Sequence, residues 1–488
     1  MMEIDKTCSF LPNSGQDRCQ PSINNDFYRT TAVAILLVLT GSGMQGYANG
    51  TIDAFFVALL LFLAGFAVLR LVFPRSKPEM QVFILTYGVS VFAGGLAQCY
   101  SLNVFNNPQS TIDSFTFLSQ ISPYPPFMTM ANMPLFNSPL AVVIWQQVYK
   151  LTWWLGLEFG PYTAVMFNAF VMGLTGSLTV WTARELFGDD GWRLRRVGNL
   201  FAFCGLFILF GAVLLRDCFV TFLNALVLWG LVRLLVRRTL WSLFLATVLI
   251  GISAYAMAYL RLQAVVLFGM YGFLAFLVSF FAKKKSQANM FTPFLCLCIM
   301  LCGTIYFLSQ MQEAQNMQSK GMVSYYESAL ASGSEDSLGL QLILNQPLLI
   351  RMVLGSGSLM VSPIPLWANF KISSVDYLWI KGYHGIYQLL ILPLVFAGFI
   401  KTFRMFRGEQ ELSIPLLFLA VYLLMNIAVV VATSLEQRHF AQFMPAAMIL
   451  AALPDTRKAT IRNKLQMIME WWFAAVAFIH LAWMIIKG

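Results

Sequence analysis

The residues in this chain with the means to do chemistry are isolated charges in short turns between apolar runs. Arg216 and Asp217 sit in LLRDCF, Arg261 in YLRLQ, and Glu436, Arg438 and His439 share SLEQRHF. Asp113 lies in a longer polar stretch, at DSFTF, and Arg351 in the apolar LLIRMVLGSGSLMV. A guanidinium offers a fixed fork of donors that fits a phosphate and stays charged when partly buried. A nearby carboxylate can take the proton from an acceptor hydroxyl as a glycosyl bond to phosphate breaks. Arg216, Arg261, Arg351, Arg438, His439 and Glu436 are therefore the candidate phosphate- or diphosphate-binding residues, and Asp113 and Asp217 the candidate catalytic carboxylates. Each has a plainer role. A charge at the end of a span snorkels to the interface, Asp113 can cap a helix over SFTFLSQ, and Asp217 can pair with a neighbouring arginine. Convergence raises the chemical role, because the charge pattern below maps these residues to one face; for Asp113 the two roles stay open, and for Asp217 the ion pair is the expected one.

The elements that must position them are membrane helices. The 488 residues are 58% hydrophobic and 11% charged, with mean hydropathy +0.70, which excludes an ordinary soluble domain. Apolar runs of about 20 residues recur along the chain, the length that crosses about 30 Å of hydrocarbon. Lipid offers no partners to backbone amides and carbonyls, so runs of this length are helices, whereas barrel strands would alternate. The expected fold is all-α, a polytopic integral membrane protein of roughly 13 transmembrane helices with two long non-cytoplasmic loops. Expected spans include 31–48, 199–215, 263–282, 290–309 and 440–454. Residues 1–29 read as a polar cytoplasmic segment, and 30–488 as a single transmembrane domain.

The net charge of +10 is distributed in short clusters between spans, which are topology signals and no footprint for nucleic acid. Arg70/Arg75/Lys77, Arg193/Arg195/Arg196, Arg237/Arg238, Lys283/Lys284/Lys285, Lys401/Arg404/Arg407 and Arg457/Lys458/Arg462/Lys464 agree on one cytoplasmic side. The outer loops then cover about 102–158 and 310–383. The first runs through Pro123, Pro125, Pro126 and Pro134 into an aromatic stretch with Trp145, Tyr149, Trp153 and Trp154, the composition of a helix lying in the membrane interface. In the second, Gly355, Gly357, Pro363 and Pro365 interrupt an apolar run, which reads as re-entrant or interfacial. The pair Cys296 and Cys298 lacks further ligands at metal-binding spacing. Arginine on the outer face runs against the positive-inside preference, and an anionic substrate supplies a reason for it.

DSFTF in a long first outer loop, a proline-rich stretch leading to an interfacial helix, LLRDCFVTF at the outer end of a span, and EQRHFAQFMPA opening a late span resemble the membrane glycosyltransferases of the GT-C class. Within that class the order of features is most similar to bacterial proteins of surface-polysaccharide assembly. The resemblance implies a polyprenyl-phosphate or polyprenyl-diphosphate-linked glycan as donor and transfer with inversion at the outer face of the cytoplasmic membrane; no cofactor is expected. It matches Asp113 to the acidic position of the first loop, and Arg438 to the basic residue of a late R-x-x-x-x-x-x-P pattern ending at Pro445. Many such enzymes carry adjacent acidic residues in that loop, whereas Asp113 stands alone, so no metal is expected. An O-antigen or repeat-unit polymerase shares the donor chemistry and stays open as an alternative. A flippase for the same lipids would place charges near the midplane and show related halves, and neither is visible.

Overall fold

The computed structural model describes residues 21–72, 77–108, 112–130, 138–261, 264–281, 343, 346–361, 370, 378–408, 410, 412–433 and 437–487. Every regular element among them is helical. In chain order these are α1 (Pro21–Asn49), α2 (Asp53–Val72), α3 (Lys77–Phe105), α4 (Ile112–Ser119), α5 (Pro139–Trp154), α6 (Pro161–Phe187), α7 (Gly191–Ala202), α8 (Gly205–Ala212) and α9 (Asp217–Arg237). There follow α10 (Leu240–Ala258), α11 (Val265–Phe281), α12 (Leu348–Val361), α13 (Leu378–Arg407), α14 (Ser413–Thr433), α15 (Gln437–Ala441), α16 (Met444–Ala452) and α17 (Ala459–Lys487). Among the described residues, nine helices are long and apolar enough to cross a membrane, or ten if the bent pair α7 and α8 forms one span. The architecture is that of a polytopic helical membrane protein. The run at 290–309 and nearly all of the loop at 310–383 ahead of α12 lie outside the described residues, as does Met1–Gln20.

Helices α3, α6, α8 and α9 form the middle of the bundle, and α1, α2, α10, α13 and α14 surround them. The outermost helices turn large apolar side chains outward, such as Trp471, Phe478 and Ile485 of α17 and Trp241, Phe244 and Tyr255 of α10. In water such faces would be a liability; against hydrocarbon they are the expected surface. Close approach of α1 to α3 depends on small residues. A Cβ placed on Gly95 would lie 2.6 Å from the Gly41 carbonyl oxygen, and one on Gly41 2.5 Å from Phe92 Cα. Dispersion and interhelical hydrogen bonds must hold such a pair, because lipid supplies no hydrophobic drive between helices. Gln45 Nε2 donates to the Val91 carbonyl at 2.9 Å and Asn49 Nδ2 to Gln98 Oε1 at 2.7 Å.

Two expected spans are interrupted. The segment predicted at 199–215 belongs to α7 and α8, which meet at a 57° bend, and it leaves α8 extended at Val213 (φ −128°, ψ 150°). The eight residues of α8 extend only about 12 Å. The run predicted at 440–454 is split into α15 and α16 because Pro445 occupies the first turn of α16, where its missing N–H costs nothing but a continuous helix would be broken. All nine residues of α16 are buried, so this helix contacts protein instead of lipid. In α12, Gly355 and Gly357 do not interrupt the helix, which ends at Val361, two residues before Pro363.

Among the described residues, basic groups from the ends of α6, α7 and α9 and from the turn before α17 gather at one end of the bundle. Arg184 forks onto Glu79 at 2.8 and 3.0 Å, and Arg233 and Arg237 hold Glu185 at 3.1 and 3.0 Å. Arg196 and Arg457 lie over the Trp192 ring, 5.1 and 5.0 Å from its centroid, and Arg196 donates to the Pro454 carbonyl at 3.2 Å. Helix α9 runs from Asp217 to this end at Arg237, about 30 Å away by its 21 residues.

Candidate functional site

The other end of α9 carries the candidate chemistry. Asp113 lies in the first turn of α4, where a carboxylate complements the helix dipole, and its side chain is 53% exposed. The next residue, Ser114, is buried and donates from Oγ to the Leu214 carbonyl at 3.3 Å, fixing α4 to the extended segment between α8 and α9. Arg216 is the N-cap of α9 and Asp217 its first residue. Arg261 closes α10, its backbone N–H donating to the Met257 carbonyl at 2.7 Å. Arg438 and His439 lie on the short α15, placed there by the break that Pro445 enforces.

These segments, more than 300 residues apart at the extremes, converge. Arg438 Nη1 lies 3.0 Å from Asp113 Oδ2. Arg261 Nη2 lies 3.6 Å from Asp217 Oδ1 and 2.9 Å from His439 Nε2. A guanidinium only donates, so in that hydrogen bond Nε2 of His439 accepts and the ring proton sits on Nδ1. The His439 carbonyl accepts from Gln442 Nε2 at 2.7 Å, which holds the turn after α15. Asp217 is buried and engaged by Arg261, the ion pair that was its plainer role in the sequence. Asp113 is the accessible carboxylate of the two.

Arg216 differs from the other arginines. Its Nη1 donates to Ser138 Oγ, and Ser138 in turn donates to the Leu260 carbonyl at 2.9 Å, joining the starts of α5 and α9 to the end of α10. No carboxylate pairs with Arg216 among the described residues. Burial lowers its pKa from the ordinary arginine value, and Arg261 lowers it further, against the raising effect of Asp217. An opposite charge brought close favours its cationic form. The group holds three guanidiniums, Arg216, Arg261 and Arg438, against the carboxylates of Asp113 and Asp217. Among the described residues the group thus holds one more guanidinium than carboxylate.

Of the residues proposed from sequence, Asp113, Arg216, Asp217, Arg261, Arg438 and His439 are brought together. Arg351 lies on α12; Glu436 lies outside the described residues. Ser138 was missed. It is buried and sits in the left-handed region at φ 56°, unusual for a residue with a side chain. The signal for it was a serine directly before Pro139, a pairing common at helix starts.

Beside the group lies an apolar groove of about 270 Å3 between α12, α13, α14 and α16, lined by Leu359, Ile391, Phe399, Leu423, Phe440 and Met444. Phe440 follows His439 directly, so the groove begins one residue from the charged group. Gln388 also lines it, within 3.4 Å of Gln437, the neighbour of Arg438. The described residues hold no group of three or more His, Cys, Asp or Glu side chains able to share a metal ion. No protein-family model matches the chain, and no curated protein is significantly similar to it.

Proposed function

We propose that this chain is an inverting membrane glycosyltransferase of the GT-C type, acting on a polyprenyl-phosphate- or polyprenyl-diphosphate-linked donor in cell-surface polysaccharide assembly. The observation that carries this is Arg216, a half-buried guanidinium with no carboxylate partner among the described residues, set among Arg261 and Arg438, whose α15 neighbour Phe440 lines an apolar groove. A lipid phosphate satisfies both features at once: its head neutralises the surplus charge and its tail lies along Phe440 and Met444. Arg216 and Arg438 bind the phosphate. Asp217 and His439 hold Arg261 in place beside it. Asp113, exposed and paired only loosely in a wet setting, leaves Arg438 when phosphate takes that guanidinium and accepts the proton of the attacking hydroxyl. As the glycosyl–oxygen bond to phosphate breaks, the electron pair stays on the phosphate, where the arginines stabilise it. The basic end at Arg196 and Arg457 supports, by the positive-inside rule, an orientation with that end in the cytoplasm and this site at the outer face of a bacterial inner membrane.

The test is transfer from a polyprenyl-diphosphate-linked glycan by purified protein in detergent, with Asp113→Ala, Arg216→Ala and Arg438→Ala alongside. Loss of product in all three supports the site; undiminished transfer in all three removes it. The lone Asp113 also favours a second reading, polymerisation of repeat units with the same donor. A ladder of products identifies a polymerase, a single addition a transferase.

A further inference from the structure

We infer that Asn168 is the positioning residue of this site, a buried amide that sets where Arg216 and Asp217 stand. Asn168 lies in α6, on a candidate membrane span, and is fully buried. Its Nδ2 donates to two carbonyls of the segment between α8 and α9, Val213 at 3.0 Å and Leu215 at 3.1 Å. Its Oδ1 accepts from Trp145 Nε1 of α5 at 2.8 Å, so both ends of the amide are engaged and its orientation is fixed.

The segment needs such a partner. Val213, Leu214 and Leu215 have left α8 and not yet entered α9, so helical bonds do not satisfy their carbonyls, and all three residues are buried. Backbone groups freed inside a membrane bundle must find protein partners. Successive carbonyls of an extended stretch point to opposite sides. Asn168 takes Val213 and Leu215 on one side, and Ser114 takes Leu214. Asn168 and Ser114 thereby grip the chain immediately ahead of Arg216 from outside the segment, and Cys218 Sγ, from the first turn of α9, also donates to the Leu215 carbonyl at 3.2 Å. Ser114 adjoins Asp113, so the same grip spaces the exposed carboxylate from the Arg216 guanidinium. Trp145 adds α5, whose first turn follows Ser138, the hydroxyl that Arg216 bonds.

Neighbouring buried polar residues on α6 do something different. Thr175, Thr179 and Thr182 each return a hydroxyl to a carbonyl four residues back in the same helix. They satisfy themselves locally; Asn168 reaches across to α5 and to the α8–α9 connection.

The test compares Asn168→Ala and Asn168→Asp with Thr175→Val as a control within α6. Asn168→Asp keeps the volume and the acceptor for Trp145, and as a carboxylate loses both donors. Hydrogen exchange is followed by mass spectrometry on the peptide covering 213–219, and binding with farnesyl diphosphate as the probe. Both Asn168 variants should exchange about tenfold faster at 213–219, the change expected from loss of one to two net hydrogen bonds. The C-terminal half of α6 should be unchanged in them, and Thr175→Val should match wild type at 213–219. The binding arm rests on the function proposed above: farnesyl diphosphate should bind about tenfold more weakly to both variants, following the displaced Arg216. Unaltered exchange at 213–219, or acceleration spread evenly over α6, overturns the inference whatever the function. So does a faster-exchanging Asn168→Ala that binds the probe like wild type while Arg216→Ala does not. If Arg216→Ala binds the probe like wild type, the phosphate site is what fails, and the exchange result alone decides the grip.

Discussion

Replacing Asp113 and Asp217 separately should split stability from catalysis. The Asp113–Arg438 pair is 3.0 Å long but 53% and 29% exposed, and pairs of that kind contribute about 0–1 kcal/mol because water screens them and two long side chains must be ordered. Asp113→Asn should therefore shift the thermal unfolding midpoint by less than about 2 °C. As the proposed general base, its loss should lower transfer about 10²- to 10⁴-fold. Asp217 is the opposite case. Its side chain is 8% exposed and that of Arg261 14%, so Asp217→Asn leaves a buried guanidinium without its countercharge, a loss of about 3–5 kcal/mol. The unfolding midpoint should fall clearly, and transfer should fall with it through misplacement of Arg261 and His439. Each variant is purified in the same detergent and measured by thermal unfolding and by transfer from a polyprenyl-diphosphate-linked donor. A stable, inactive Asp217→Asn together with an active Asp113→Asn would refute the assignment of roles. So would a strongly destabilised Asp113→Asn, since a half-exposed pair cannot carry that much.

Arg216→Ala should weaken binding of a lipid diphosphate about 10- to 100-fold, the loss of one charge-assisted contact, and Arg216→Lys should recover part of it because the charge remains without the fork; equilibrium binding measures both. Gly95→Leu should destabilise the bundle by about 1–3 kcal/mol, because the new side chain meets the Gly41 backbone at 2.6 Å and backbone cannot move aside; thermal unfolding of the purified variant reads it, and an unchanged midpoint would deny the tight α1–α3 packing. An outside-applied, membrane-impermeant thiol reagent should label Asp113→Cys in whole cells and leave Lys458→Cys unlabelled until the membrane is opened, with the reverse pattern overturning the proposed orientation.

The helical membrane class and most spans were legible because each rests on a long local run of apolar residues, as in α2, α9 and α14. The broken elements were less so. Pro445 lies in plain sight, yet a break there is decided by which neighbours cover the freed backbone groups, and α16 is covered on all sides. The bend between α7 and α8 has no proline; Gly205 stands there against His384, with a Cβ position 2.6 Å from His384 Cβ, a contact 179 residues away in sequence that no local pattern announces. The charged residues of the site were readable because isolated arginines there ran against the topology expected from the basic clusters. The pairings were not readable: Arg438 with Asp113, and Arg261 with Asp217 and His439, follow from the three-dimensional meeting of α4, α9, α10 and α15. Ser138 and Asn168 escaped attention because an uncharged hydroxyl or amide in an apolar context looks like packing until its partners are known.

The most direct measurement is the position of a bound lipid diphosphate, determined by cryo-electron microscopy of the protein with a polyprenyl diphosphate. The phosphates are expected within about 3 Å of the Arg216 and Arg438 guanidiniums, with the prenyl chain along Phe440 and Met444. Density for the phosphates at the opposite end of α9, against Arg196 and Arg457, with the Arg216 group unoccupied, would contradict it.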